Sequence, residues 1–147
     1  FQEERLAVAL SALRQLEATL DETIAYTGQR RIFGRTVLDQ QVVHFRLAEL
    51  KTELEALRAL VWKTVEQYVA GADMTELASM CKLKATRLMR ETYDDCLQFW
   101  GGMGFVEETA VARRFRDSRL GSIGGGADEV MLSIIAKHMS TLPERPG

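Results

Sequence analysis

Residues 39–69, DQQVVHFRLAELKTELEALRALVWKTVEQYV, place Val43, Leu47, Leu50, Leu54, Leu57, Val61, Val65 and Tyr68 at steps of three and four. That spacing gathers them into one apolar stripe of a long helix, with Glu49, Glu53 and Glu55 on the opposite side. Such a stripe must be buried against another of its kind. One lies upstream, from about Glu3 to Thr27, where Leu6, Leu10, Leu13, Leu16, Leu20, Ile24 and Thr27 repeat the same steps. Gly28 begins a break between the two, and Gln29 to Asp39 has no sustained period, so this segment reads as a loop. Downstream, Gly71-Ala-Asp73 supplies a terminating glycine and then an N-cap candidate for a third helix, from Met74 through Leu83, Leu88, Tyr93 and Leu97. A short helix over Glu108 to Asp117 follows, then a last one over Asp128 to Ser140 whose inner stripe is Val130, Ile134 and Ile135. Pro143 and Pro146 close a frayed tail. No segment alternates with period two, and no repeat of about 20 to 50 residues is present. The expected fold is all-α, an antiparallel up-and-down helical bundle of four main helices plus a short one.

A chain of 147 residues is about one domain. Nineteen basic against twenty-one acidic residues give a formal net charge of -2, so no global field draws the protein to nucleic acid or to an anionic membrane. No apolar run approaches the roughly 18 residues of a transmembrane segment. Cys81 and Cys96 lie in one apparent helix without CxxC spacing and read as reduced core residues in a reducing compartment. The amino end, Phe1-Gln-Glu-Glu-Arg5, has neither an initiator Met nor a signal-like stretch, so the chain reads as a piece of a longer protein.

Two glycine-rich joints interrupt the helices: Gln98-Phe-Trp-Gly-Gly-Met-Gly-Phe105 and Gly121-Ser-Ile-Gly-Gly-Gly-Ala-Asp-Glu129. Seven of the eleven glycines sit there, although glycine disfavours a helix interior by about 1 kcal/mol relative to alanine. Between the joints, Arg113-Arg-Phe-Arg-Asp-Ser-Arg119 carries four cations. Backbone open to close approach, with cations beside it, suits an anionic ligand. Other chemistries are poorly served. Glu-x-x-His pairs for a di-metal centre are absent, two histidines and two scattered cysteines do not make a zinc site, and no Walker-type phosphate loop occurs. No metal is expected. His44 and His138 read as helix-face residues, and Trp62 and Trp100 as core or interface residues.

In order and spacing these motifs resemble the C-terminal helical domain of the acyl-coenzyme A dehydrogenases. The resemblance rests on Gln29-Arg-Arg-Ile-Phe-Gly-Arg35 followed by Gln41 and Leu47-Ala-Glu-Leu50, then the first joint, then Arg116-Asp-Ser-Arg119 and the glycine turn before the last helix. It covers nearly the whole chain, residues 1–147, and implies that a helical N-terminal domain and a middle β domain lie outside it. It also implies an FAD-dependent subunit of a homo-oligomer, a dimer or mostly a tetramer, in which this bundle completes the cofactor site of a neighbouring subunit. On that pattern Arg30 and Phe33 contact the pyrophosphate region, Gln41 the adenosine end, and Gln98 and Gly102 the same cofactor from the first joint.

At the second joint the sequence departs from the family's commonest form. Many members carry a catalytic Glu where this chain has Gly125, and a glycine accepts no proton. The long-chain and isovaleryl branches place the base in a Glu-Arg-Leu segment instead, which this chain carries as Glu4-Arg5-Leu6. Glu4 is therefore the expected base, Arg5 a positioning neighbour, and Gly124 and Gly125 the wall of a roomier acyl channel. Ala127 stands where a Thr commonly contacts the flavin, and Glu129 either caps the last helix or reaches the cofactor. The Arg113 to Arg119 cluster serves either coenzyme phosphates or acidic helix faces between subunits. The implied reaction is oxidation of an acyl-CoA substrate to the trans-2-enoyl-CoA, long or branched in chain. Electron-transferring flavoprotein is the implied acceptor, and mitochondrial matrix or bacterial cytoplasm the implied location. Two alternatives stand beside it: a non-catalytic helical oligomerisation module, and an acyl-CoA oxidase relative that passes electrons to oxygen.

Overall fold

The computed structural model describes residues 1–140. It contains α1 (Gln2–Gln29), β1 (Arg31–Ile32), β2 (Arg35–Thr36), α2 (Gln41–Val69), α3 (Thr75–Trp100), a 3-10 turn (Gly101–Phe105), α4 (Ala110–Gly121) and α5 (Asp128–His138). Three helices are long, with 28, 29 and 26 residues, and two are short, with 12 and 11. The expected all-α bundle is present. The expected tail at Pro143 and Pro146 lies outside the described residues.

Side-chain ties set the directions of the helices. Arg58 of α2 reaches Glu17 of α1 at 2.8 Å, and Tyr68 donates to Glu3 at 3.2 Å, so α2 runs back along α1. Lys84 pairs with Glu53, and Arg46 bridges Asp95 and Glu91, so α3 runs back along α2. Arg5 meets Ser79 at one end and Thr23 meets Trp100 at the other, so α3 lies parallel to α1. Helices α4 and α5 descend in turn along α3, which packs against all four of the others.

The core follows from the stripes, with local rotations. Leu16, Leu57 and Val61 have no exposed surface, and Leu50 and Leu54 have 1 %. Burying each such side chain stabilises the fold by about 1.5–3 kcal/mol. Leu10 and Ile24 of the first stripe face outward at 39 % and 43 %, because the buried side of α1 runs instead through Ala9, Ala12, Thr19 and Thr23, all at 0–1 %. Small residues there let the α1 and α3 backbones come close. The Thr19 and Thr27 hydroxyls donate to the carbonyls of Gln15 and Thr23 one turn earlier, so their burial leaves no polar group unpaired.

In α5, Val130 is turned out and its neighbour Met131 is fully buried beside Asp128, a rotation of about 100° from the expected stripe. Helix α4 extends to Gly121, past the expected Asp117, and α5 ends at His138. Asp73 caps α3 from one position before the cap itself, accepting from the Thr75 amide at 3.2 Å and the Thr75 hydroxyl at 2.7 Å. Residues 30–40 are more than a loop, since Arg31 pairs with Thr36 and Ile32 with Arg35 in a tight hairpin. Cys81 and Cys96 are buried free thiols, as expected. Trp62 is 53 % exposed and takes no part in the core.

Candidate functional site

The expected site residues fall into two groups at opposite ends of α1. From Glu4 to Arg30 the helix advances 26 residues, about 39 Å at 1.5 Å per residue.

The first group surrounds the ends of α1 and α3. Tyr26 stacks on Trp100 with ring centroids 4.0 Å apart, and the Trp100 indole donates to Thr23 Oγ1 at 3.1 Å. Arg30 is laid across this pair, donating to Tyr26 Oη at 2.8 Å and to the Trp100 carbonyl at 3.1 Å. Its guanidinium is thereby fixed while remaining exposed. Arg31 donates to the Gly34 carbonyl at 2.7 Å, closing the hairpin tip.

Phe33 sits on that tip at φ 48 and is 98 % exposed. A left-handed conformation costs a non-glycine residue about 1–2 kcal/mol, and strain of this kind collects at functional sites. Thr36 and Asp39 exchange hydrogen bonds at 2.9 and 3.1 Å, and the Thr36 amide holds the exposed Asp39 carboxyl below its usual range. Gln41, the first residue of α2, and Gln98, in the last turn of α3, are exposed at this same end. A Cβ added at Gly102 would meet nothing within 4 Å, so that backbone is open to a ligand. A fixed guanidinium, an unpartnered aromatic ring, two amides and bare backbone fit a nucleotide carrying a pyrophosphate.

Gly104, which the motif does not single out, is the sterically obliged glycine of this joint. A Cβ there would stand 2.5 Å from the Leu97 carbonyl oxygen.

The second group lies around the start of α1 and the middle of α3. Glu4 is exposed. Arg5 turns inward and donates to Ser79 at 3.4 Å, with its Nε buried and unpaired. Val8 and Gln15 of α1, Met89 and Tyr93 of α3, and Gly124 and Gly125 line an open hollow of about 520 Å³. Glu4 precedes Val8 by four residues, and Val8 precedes Gln15 by seven, so all three share one face of α1. Gly125 takes φ 66 and a Cβ there would meet nothing within 4 Å, whereas Gly126, at φ 101, has Met131 Cε 2.7 Å from where its Cβ would stand. Ala127 is the N-cap of α5 without a side-chain bond, and Glu129 stands exposed in its first turn, where the helix dipole favours a carboxylate.

The Arg113 to Arg119 run does not act as one patch, because a helix turns its members apart. Arg113 donates to the carbonyls of Glu107 and Glu108, and Arg114 makes a two-pronged bridge to Glu22 at 2.7 and 3.0 Å. Arg116 pairs with Glu107 and Asp117. Arg119 lines an open groove with Arg87, Arg90 and Arg116.

Lys82 is a further feature that the motifs did not flag. It is buried at 1 % exposure and donates to the Gly126 carbonyl. Its position one turn after Ala78 and one turn before Thr86, both buried, is the signal that places it on the inner face. Among the described residues no group of three or more metal-ligating side chains comes together, and no helix is long and apolar enough to cross a membrane.

The chain is similar to known proteins over most of its length. The chain is 36 % identical over 137 residues to the mitochondrial long-chain specific acyl-CoA dehydrogenase of Sus scrofa, covering 93 % of this chain and 32 % of that protein. It is 34 % identical over 138 residues to the mitochondrial short/branched chain specific acyl-CoA dehydrogenase of Bos taurus, covering 94 % of this chain and 32 % of that protein. Its fold superposes on the crystal structure of an acyl-CoA dehydrogenase from Geobacillus kaustophilus with a TM-score of 0.91 at 37 % identity, covering 94 % of this chain and 36 % of that one. The chain thus spans about a third of the length of these relatives. The sequence model described as acyl-CoA dehydrogenase, C-terminal domain, matches residues 1–140, and the chain belongs to that family.

Proposed function

We propose that residues 1–147 are the C-terminal domain of a longer FAD-dependent acyl-CoA dehydrogenase. This enzyme oxidises a long or branched acyl-CoA to the trans-2-enoyl-CoA, and Glu4 is its base. The observation that carries the reading is the alignment of Glu4 with Val8 and Gln15 on the face of α1 that borders the hollow, with Gly124 and Gly125 across from it. A carboxylate one helical turn from this hollow, whose lining also includes Arg113, Arg114, Asp117 and Ser118, can take the α proton of an acyl thioester, provided the chain lies between it and the hydride acceptor. FAD, when bound, supplies that acceptor. Gly124 and Gly125 present no side chain, which leaves room for a long or branched chain, and Ala127 and Glu129 border the cofactor at the start of α5.

Arg30, Phe33, Gln41, Gln98 and Gly102 hold the nucleotide end. Since they lie about 39 Å along α1 from Glu4, the two groups belong to two different sites, each completed by a neighbouring copy. That separation supports a homodimer or homotetramer. Electron-transferring flavoprotein is the acceptor we assign. Two buried free thiols fit a reducing compartment, the mitochondrial matrix or the bacterial cytoplasm.

The test is flavin reduction in the complete subunit across a series of acyl-CoA substrates. Glu4→Gln should slow it by about 10² to 10⁴, with FAD still bound. Unchanged reduction in the variant would move the base elsewhere.

A further inference from the structure

Lysine is almost never fully buried unless it is paired, yet Lys82 lies inside the bundle at 1 % exposure. Its Nζ donates to the Gly126 carbonyl at 2.5 Å. Burial lowers its pKa, Asp128 nearby opposes that shift and Arg5 adds to it. A methionine of similar length would fill the same space without desolvating a charge, so packing alone does not account for an ammonium there.

The turn it holds carries three glycines in a row. Gly124, Gly125 and Gly126 follow one another, the last two at φ 66 and φ 101, and glycine loses more freedom on ordering than any other residue. Backbone bonds tie down the flanks: Gly124 N donates to Leu120 O at 2.7 Å, and Asp128 N to Ser122 O at 3.2 Å. Among the described residues, Lys82 is the side chain that hydrogen-bonds to the three glycines. Asp128 is itself held by Arg87 at 2.9 Å and Ser122 accepts from Arg90 at 3.3 Å, so the flanks of the turn are tied to α3 as well.

We propose that Lys82 is a positioning residue that clamps the Gly124–Gly126 turn to α3 and so sets the width of the acyl slot, making it a determinant of acyl selectivity. The assignment of selectivity rests on the acyl-CoA reading of this site. The clamp itself rests only on the geometry. With the ammonium removed, the Gly126 carbonyl loses its partner, the turn samples other conformations, and a bulky acyl chain loses the room that a fixed turn leaves for it.

The experiment compares wild type with Lys82→Met in the complete FAD-loaded subunit. Amide hydrogen exchange over residues 122–128 is measured beside kcat/KM for one branched and one straight-chain acyl-CoA. Exchange over 122–128 should rise about tenfold, and the branched-to-straight ratio of kcat/KM should fall about tenfold, the scale of one lost charged hydrogen bond. The straight-chain kcat should stay within about twofold. If Lys82→Met does not accumulate as folded enzyme, the same readings are taken on Lys82→Gln, which keeps a neutral donor at shorter reach and should shift both in the same direction by less.

Unchanged exchange over 122–128 overturns the clamp. Equal loss on both substrates with raised exchange overturns the selectivity role. If exchange rises while even the wild type shows no flavin reduction with any acyl-CoA, it is the functional reading that fails, and the clamp stands.

Discussion

Gly102 and Gly104 are two residues apart in one 3-10 turn, and the structure assigns opposite signs to the same substitution at each. Neither has a positive φ, so backbone conformation does not decide the outcome. At Gly104 a Cβ would stand 2.5 Å from the Leu97 carbonyl oxygen, 3.1 Å from Leu97 Cγ and 3.3 Å from the Leu97 carbonyl carbon. The carbonyl belongs to α3 and cannot retreat without disturbing the last turn of that helix, on which Trp100 and its stack with Tyr26 depend. Overpacking of this kind costs about 1–3 kcal/mol. At Gly102 the same atom meets nothing within 4 Å. An alanine there removes freedom from the unfolded chain and stabilises by about 0.4–1 kcal/mol.

For a chain of this size 1 kcal/mol moves the thermal midpoint by about 3 °C. Gly104→Ala should therefore lower the midpoint by about 3 to 9 °C, and Gly102→Ala should raise it by about 1 to 3 °C. Equilibrium urea unfolding checks both, with the slope of the transition held constant. Gly102→Ala should also weaken FAD retention in the complete subunit, since the methyl group projects from the surface assigned to the cofactor. A neutral Gly104→Ala, or the same shift in both variants, would refute the reasoning.

Arg114→Ala should cost about 1–3 kcal/mol, because Glu22 loses a two-pronged partner and Thr19 loses a donor, and Arg114→Lys should restore only part of it; urea midpoints of the three proteins decide. The buried Tyr93 hydroxyl is pushed up to about 12 and the buried Cys96 thiol to about 11, in each case by burial, against ordinary values of 10.0 and 9.0. Both groups are neutral in the fold and ionise earlier in the unfolded chain, so the stability they contribute is complete below pH 9 and is lost as pH rises to about 12. Unfolding at a series of alkaline pH values should show a steep fall over that window, shallower in Cys96→Ala when each protein is referred to its own stability at pH 8.

Much of the architecture was legible in the spacing of apolar residues, because a helix maps a local period onto one face. The stripe from Val43 to Val61 was buried where the period put it. The same logic failed by one residue at Val130, because α5 is short, Asp128 ties its start to Arg87 of α3, and Met131 is the side chain buried. The hairpin at Arg31–Thr36 was missed because two paired residues on each strand carry no period at all.

The sequence by itself determined the helices, the reduced cysteines and the family motifs, since each is written in neighbouring residues. It also carried the contrast between Gly125 and Glu4, which needs only residue identity. Only the tertiary structure decided that Val8 and Gln15 line a hollow with Gly124 and Gly125, that the arginine run divides among separate partners, and that Lys82 is buried beneath Gly126. These are relations between segments distant in the chain. They follow from α3 packing against four helices at once, which brings together side chains that no local period relates.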